Sequence, residues 1–178
     1  MQRGVVLAAT GDNEAAVSMI EAGISQYRST NSTYLTPFYL TRLAEAQAKL
    51  GHCDEAWKSI FEAFNTMEKG GEIQHQAEVN RVAGEIALLS PEIDVVKAEG
   101  YFEKALAVAR QQQAKSWELR AAMSLARLWR SQGKVQQARE LLAPLYRWFT
   151  EGFDTRDLKE AKALLEELAA YGLVDPSE

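Results

Sequence analysis

The sequence predicts an all-α fold, in which helical hairpins stack as an α-α superhelix and a C-terminal helix caps the stack. Strong helix formers dominate the 178 residues, and the alternation typical of strands is nearly absent. Apolar residues recur at intervals of three and four, as on one face of a helix. Small residues recur at intervals of about forty, which indicates an internal repeat.

Two columns of small residues define this repeat. The first is spaced by 40, 42 and 40 positions and contains Ala16, Ala56, Ala98 and Ala138. The second is spaced by 40, 40 and 42 positions and contains Gly4, Ala44, Gly84 and Ala126. Antiparallel helices approach closely only where a side chain is no larger than a methyl group. The columns therefore predict the contact line inside each hairpin.

The turns between paired helices have their own signature. In three repeats a glycine precedes the first-column alanine by five positions: Gly11, Gly51 and Gly133. Each is predicted to end a helix in a left-handed conformation, with Asp12 and Asp54 as N-caps of the helices that follow. The third repeat has two extra residues and the sequence Leu89-Ser90-Pro91-Glu92 instead. Pro91 is predicted to separate its two helices.

Four hairpins and a final helix follow from these signals. The predicted pairs are 1–10 with 13–30, 34–50 with 53–69, 72–89 with 92–112, and 115–132 with 134–150. The final helix, 155–171, has one apolar face, which carries Leu158, Ala161, Leu164, Leu165 and Leu168. It is predicted to cap the stack. We expect one domain, with the hairpins in 1–151 and the capping helix and tail in 152–178.

Composition narrows the class of protein further. The single cysteine, Cys53, excludes an internal disulfide framework and a multi-cysteine zinc site. No apolar stretch approaches the length of a membrane span, and the first residues lack the apolar core of a signal peptide. We therefore expect a cytoplasmic protein that does not contact membranes.

The net charge of −5 is unevenly distributed. Residues 114–150 have 7 basic and 2 acidic side chains, whereas residues 151–178 have 3 basic and 8 acidic ones. A basic block can bind nucleic acid. We favour the alternative that it neutralises the acidic residues against which it packs, because an acidic chain repels phosphate at long range.

The repeat columns resemble those of the tetratricopeptide repeat, over nearly the whole chain. The small residue of the first helix, the glycine of the turn and the pattern Ala-x-x-x-(Ile/Phe/Leu) of the second helix all match that family. The period is about 40 in this chain against 34 in the family, which implies longer helices or loops. The resemblance implies a right-handed solenoid that binds protein segments.

A second resemblance lies towards the C-terminus. The stretches Ala114–Ala122, Ser124–Trp129, Gln132-Gly133 and Phe149–Leu158 are similar to the C-terminal repeat tail of certain bacterial regulators. Those proteins contain a class III adenylate/guanylate cyclase or a DNA-binding domain beside an ATPase-type domain. The similarity implies a signalling or transcription-regulatory setting. The chain is then either the excised tail of a longer protein or a free-standing repeat protein, and the abrupt start of the first helix at Met1 favours the excised tail.

The resemblance also assigns a candidate groove. In tetratricopeptide arrays the first helix of each hairpin lines the concave surface. The matching positions are Phe38, Thr41, Glu45, Ala48, Glu78, Arg81, Glu85, Leu88, Arg120, Met123, Arg127 and Arg130. Such a groove would clamp a peptide whose acidic part lies on the fourth hairpin. Alternatively, Glu45 with Arg81 and Glu85 with Arg127 form ion pairs that only hold neighbouring hairpins together.

We find no pattern that predicts catalysis, a cofactor or a metal. His52 lies beside Cys53 at a turn, but the spacing supplies neither a third ligand nor an orienting group. Aromatic residues crowd the last third of the chain, and we expect Trp148, Phe149 and Phe153 to form core between the fourth hairpin and the cap.

The sequence therefore predicts a non-enzymatic interaction module. Its partner would be a protein or peptide segment, or another domain of the same polypeptide. The alternative is a sensor domain that binds a small molecule or nucleotide, and a nucleic-acid partner is disfavoured. Self-association is a further expectation, because a truncated first hairpin would expose Val5, Val6 and Leu7.

Overall fold

The chain is almost entirely helical. The structure is a computed structural model that describes residues 1–29, 34–71 and 73–171. Across those ranges it contains nine α-helices and no strand. They are α1 (Gln2–Thr10), α2 (Asn13–Arg28), α3 (Thr36–Lys49), α4 (Cys53–Gly70), α5 (Gln76–Leu89), α6 (Val95–Gln111), α7 (Lys115–Ser131), α8 (Val135–Trp148) and α9 (Arg156–Tyr171). The all-α fold class is confirmed.

The chain divides into two compact units, residues 1–101 and 102–178, and the division falls inside α6. In the first unit α1 packs on α2, α3 packs on α4, and each hairpin also contacts its successor, α2 with α3 and α4 with α5. The first helices of the hairpins contact one another as well, α1 with α3 and α3 with α5. This unit is therefore a row of hairpins rather than a bundle around one centre.

The columns of small residues are buried, and in the first hairpin they form the contact line that their spacing predicts. All four alanines of the first column are fully buried, as are the isoleucines that follow two of them, Ile20 and Ile60. In the second column a Cβ atom built on Gly4 would lie 2.9 Å from Cγ1 of Ile20. The backbone of α1 therefore approaches α2 more closely than any other residue type would allow.

The predicted glycine turns are present. Gly11, Gly51 and Gly133 have φ angles of +95°, +81° and +76°, the left-handed region that favours glycine. Asp12 caps α2, because its Oδ1 accepts a hydrogen bond from the backbone N–H of Ala15 at 3.3 Å. Asp54 is not the N-cap of α4: that helix begins one residue earlier, so Asp54 lies in its first turn.

The connection between α5 and α6, the turn of the third predicted hairpin, differs from the prediction. α6 begins at Val95 rather than at residue 92, because Asp94 caps it by accepting from the backbone N–H of Lys97 at 2.9 Å. Ser90 is extended, as a residue before proline prefers. The predicted end of α2 at residue 30, the start of a helix at 72 and the tail 172–178 lie outside the described residues.

In the second unit α7 and α8 form a hairpin and α9 packs against both. The predicted apolar face of α9 is confirmed, since Leu158, Ala161, Leu164 and Leu168 are buried. The expectation of core is wrong for Trp148 and Phe153, which are 57% and 46% exposed. Trp148 is the last residue of α8, and its ring contacts Phe149 rather than the interior. None of the helices within the described ranges has the length and apolarity needed to span a membrane.

Candidate protein-binding surfaces

The first candidate surface, which we call the α3–α5 face, is formed by Phe38, Arg42, Glu45, Glu78, Arg81 and Glu85. These side chains lie on the first helices of the second and third hairpins. The sequence places five of the six on the predicted groove. The structure adds Arg42, which forms an ion pair with Glu78 and so connects α3 to α5.

Glu78 is the centre of the charged part of this face. It is only 2% exposed, although its sequence position predicts exposure. Besides its ion pair with Arg42, its carboxylate accepts from Nε of Arg81 at 2.7 Å and from Nη2 of the same side chain at 2.9 Å. Arg81 also forms an ion pair with Glu85 on the next turn of α5. A buried carboxylate with two guanidinium partners is the arrangement that burial of charge requires.

These neighbours shift the pKa values of the face. Burial alone would raise the pKa of Glu45, but Arg42, Arg81 and Lys49 together hold it below its ordinary value. Burial alone would lower the pKa of Arg81, but the carboxylates of Glu78 and Glu85 outweigh it and raise that pKa. Glu45 and Arg81 are therefore both ionised at neutral pH.

An apolar cavity of about 400 Å³ adjoins the charged cluster. Its lining comes from α1, the start of α3 and the start of α5, and consists of Gln2, Val5, Leu35, Phe38, Tyr39 and His75. The rings of Phe38 and His75 lie 5.6 Å apart, and the Arg42 guanidinium lies 5.9 Å from the centre of the Phe38 ring.

Two polar atoms near this cavity, one on its lining and one beside its Phe38 wall, lack hydrogen-bond partners within the described part of the chain. They are Nδ1 of His75 and Nε of Arg42, and both atoms are buried. Burial and the charge of Arg42 lower the pKa of His75, so its imidazole is neutral at pH 7. Buried polar atoms without partners are rare, and each requires a physical explanation.

The second candidate surface is the α7–α9 face, where basic residues of α7 meet acidic residues of α9. Arg120 Nε donates to Asp157 Oδ2 at 2.6 Å, and Arg127 Nη2 donates to Glu160 Oε2 at 3.0 Å. A third ion pair joins Arg130 to Glu167 further along the same two helices. The expectation that the basic block neutralises acidic residues packed against it is confirmed for these three arginines.

The remaining predicted groove residues are placed as follows. Thr41 and Met123 are buried, and the Thr41 hydroxyl donates to the backbone carbonyl of Pro37 at 2.6 Å. Ala48 is buried and Leu88 is half-buried. Neither Thr41 nor Met123 presents a side chain to a partner.

One pairing differs from the sequence-based alternatives, and a second charged cluster was not predicted. The contact between neighbouring hairpins that was predicted for Glu45 is made by Arg42 and Glu78, since Glu45 Oε2 pairs with Arg42 Nη1 at 2.8 Å within α3. Sequence reasoning also missed Glu118, which is 3% exposed and holds Arg110 at 2.9 Å and Lys115 at 2.7 Å. The spacing of three between Lys115 and Glu118 is the signal that could have found it.

The residues considered for metal or nucleophilic chemistry are not brought together. Cys53 is buried and its thiol donates to the backbone carbonyl of Leu89 at 3.5 Å. Across the described residues, no group of three or more His, Cys, Asp or Glu side chains has the arrangement of a metal site.

Comparison with known proteins identifies the fold. No model of a protein family matches the chain, and no curated protein matches its sequence. Among solved structures, it is similar to a crystal structure from Podosopora anserina, described as a kinesin light chain with nearly identical TPR-like repeats. The TM-score is 0.63 at 17% identity, over 96% of this chain and 91% of that one. The chain therefore has a TPR-like helical-repeat fold.

Proposed function

We propose that this protein is a non-enzymatic interaction module that binds a peptide segment on its α3–α5 face. The observation that carries the proposal is the apolar cavity beside Phe38, with buried polar atoms of Arg42 and His75 that lack partners. An apolar side chain of the peptide would enter the cavity. The side chains that cover Arg42 Nε and His75 Nδ1 would then move aside, and polar atoms of the peptide backbone would partner these two atoms. TPR-like folds commonly mediate protein binding, which also supports the proposal of an interaction module.

The setting we propose is that of a bacterial signalling or transcription-regulatory protein. It rests on the resemblance of residues 114–158 to the repeat tails of cyclase and ATPase-type regulators. The segment that the face binds would then come from a partner protein or from another domain of the same polypeptide. The arginines predicted to extend the groove, Arg120, Arg127 and Arg130, would take part only if their α9 partners were displaced.

A random peptide library displayed on phage tests this proposal. The library is selected on the wild-type protein, and the affinity of an enriched synthetic peptide is measured by fluorescence anisotropy. Phe38→Ala removes a wall of the cavity, and Arg42→Lys keeps the charge beside Glu78 but loses the Nε donor. We expect each change to weaken binding about tenfold or more, because anchoring side chains dominate such interfaces.

Two matched controls accompany these variants. Phe61→Ala removes an exposed ring of α4 outside the α3–α5 face, and Lys69→Gln removes an exposed charge at the end of α4. Both should leave the affinity unchanged, and circular dichroism with thermal melting should show that all four variants are folded. Equal affinity of the selected peptides for Phe38→Ala, Arg42→Lys and the wild type would contradict the proposal.

The cavity also supports a second candidate, a sensor that binds a small molecule. Its volume of about 400 Å³ lies in the range of ligand pockets, and nearly all of its lining is apolar. A thermal-shift screen against metabolites and nucleotides distinguishes the two functions. A ligand that raises the melting temperature of the wild type but not of Phe38→Ala would favour the sensor, and no stabilisation by any compound would reject it.

A further inference from the structure

The turn of the third hairpin forms a second cleft, at the opposite end of α5 from the Phe38 cavity. The sequence marks this turn by its two extra residues around Pro91. In the structure, segment 90–97 and the first half of α4 line an open cleft of about 810 Å³. We call it the Trp57 cleft; its lining comprises Cys53, Asp54, Trp57, Ala87 and residues 90–97. Because α5 has 14 residues, the two ends of this helix lie roughly 20 Å apart.

Trp57 lines this cleft and contacts several neighbouring side chains. Its indole Nε1 donates to Oγ of Ser90 at 3.4 Å, and its ring stacks on Phe61 with centres 5.7 Å apart. The ring of Tyr101 lies 5.9 Å away on another side, and the Lys97 ammonium lies 4.1 Å from the indole centre. An aromatic residue in a cleft is the kind of side chain that dominates binding energies.

Exposed apolar side chains surround the cleft. Val96 is 83% exposed, Ile93 66%, and Leu89 and Phe61 53% each. Leu89 is the last residue of α5, Ile93 lies in the turn, and Val96 lies in the first turn of α6. Phe61 lies on α4. Single exposed apolar residues are ordinary, but a cluster of large ones beside a cleft is typical of an interaction surface.

The charges around the cleft indicate what kind of segment fits it. Three exposed carboxylates line it, those of Asp54, Glu92 and Asp94, against the single ammonium of Lys97. The excess of negative charge favours a basic partner. A second copy of this chain is disfavoured, because a two-fold interface would bring the same three carboxylates against themselves.

We propose that the Trp57 cleft docks a segment of a partner protein with one large apolar side chain flanked by lysine or arginine. The apolar side chain packs on Trp57, Ile93 and Val96, and the flanking cations pair with the carboxylates of Asp54 and Glu92. This surface is separate from the α3–α5 face, so the module has two docking surfaces on the first unit.

NMR titration of the ¹⁵N-labelled protein tests the proposal. The probe is a synthetic peptide with a central leucine and lysines on both sides, and the reference is the same peptide with glutamates in place of the lysines. The indole signal of Trp57, assigned from the Trp57→Phe variant, should move saturably with the lysine peptide and not with the glutamate peptide. Trp117, Trp129 and Trp148 do not line the cleft, so their indole signals serve as internal references.

Variants then locate the binding. Glu92→Lys reverses a charge in the turn and should weaken binding about tenfold, and Val96→Ser should weaken it about threefold. Glu68→Lys makes the same charge change at the exposed far end of α4 and should have no effect. Phe38→Ala should also have no effect, so failure of this proposal and failure of the α3–α5 face are distinguishable.

Four results would overturn the proposal. The first is a Trp57 signal that does not move with the lysine peptide. The second is an equal response to the glutamate peptide, and the third is an equal loss of binding in Glu68→Lys and Glu92→Lys. The fourth is a Trp57 signal that shifts with protein concentration alone, together with a dimeric mass in sedimentation, which would make a second copy the occupant.

Discussion

The α3–α5 face and the α7–α9 face use the same residue types in two different ways. On the α3–α5 face the arginines and glutamates pair around a buried carboxylate, Glu78, and an apolar cavity beside them stays open. On the α7–α9 face each of three arginines has its own carboxylate on α9, and these pairs are partly exposed. The charges of the α3–α5 face are therefore paired with one another, whereas the arginines of α7 are paired with carboxylates of the neighbouring helix α9.

The two faces therefore differ in how deeply their charges are buried. Charge pairs at the surface contribute little free energy each, so α9 is held mainly by its buried leucines rather than by its carboxylates. Removing one member of the buried pairs around Glu78 would leave an uncompensated buried charge, which destabilises far more than removing a surface pair. The predictions below test this contrast, in order of decreasing effect.

The largest effect is expected at Glu78. Glu78→Ala leaves two guanidinium groups, those of Arg42 and Arg81, without their shared carboxylate. Breaking a buried ion pair from one side typically lowers the free energy of unfolding by about 3–5 kcal/mol. Urea unfolding followed by circular dichroism measures it. A loss under about 1 kcal/mol, on the order of a surface pair, would mean that the two faces do not differ.

The next effect concerns pH and Glu45. Because folding lowers the pKa of Glu45, its stabilising effect is fully present above the ordinary value of 4.5 and is lost as the pH falls through the folded-state value. Glu45→Gln should lower the free energy of unfolding at pH 7 by about 1.5–3 kcal/mol and flatten its decline in acid. Glu68→Gln, at an exposed position on α4, is the control and should leave the decline unchanged.

A smaller effect is expected to be equal in the two units. Gly51 and Gly133 occupy the same turn with φ angles of +81° and +76°. Replacing either with alanine should cost about 1–2 kcal/mol of unfolding free energy, because Cβ disfavours this conformation. Gly100→Ala, at a helical site where a Cβ meets nothing, should instead stabilise by about 0.5–1 kcal/mol. Unequal costs at Gly51 and Gly133 would show that the turns are not equivalent.

The smallest effect is expected for a single ion pair of the α7–α9 face. Arg127 and Glu160 are 42% and 37% exposed, so a double-mutant cycle of Arg127→Ala and Glu160→Ala should give a coupling of about 0–1 kcal/mol. Potassium chloride should weaken it further. A coupling above about 2 kcal/mol would place this pair with the buried ones.

The fold could be predicted from the sequence because its signals are local and periodic. Columns of alanine and glycine mark helix contacts, and Gly11, Gly51 and Gly133 mark turns whose left-handed conformation destabilises most other residues. The start of α6 could not be placed, since Pro91 and Asp94 are both acceptable near a helix N-terminus and only the packed turn decides between them. The burial of Trp148 was predicted wrongly because an aromatic residue at a helix end fits the same sequence pattern as an aromatic residue in the core.

The candidate surfaces were only partly predictable. Sequence positions relative to Ala44 and Gly84 identify the helix side that carries Phe38, Glu45 and Glu78, but they do not report burial. Arg42 was missed because it lies beside the predicted stripe, and its long side chain reaches Glu78 on another helix. The cavity beside Phe38 depends on α1, so no pattern within α3 or α5 could indicate it.

Hydrogen–deuterium exchange of the protein with and without a library-selected peptide tests the central claim most directly. We predict slowed exchange in α3 and α5 and at the start of α1, with α7 and α9 unchanged. Protection confined to α7, together with faster exchange in α9, would show that the peptide displaces α9 instead and would contradict the assignment of binding to the α3–α5 face.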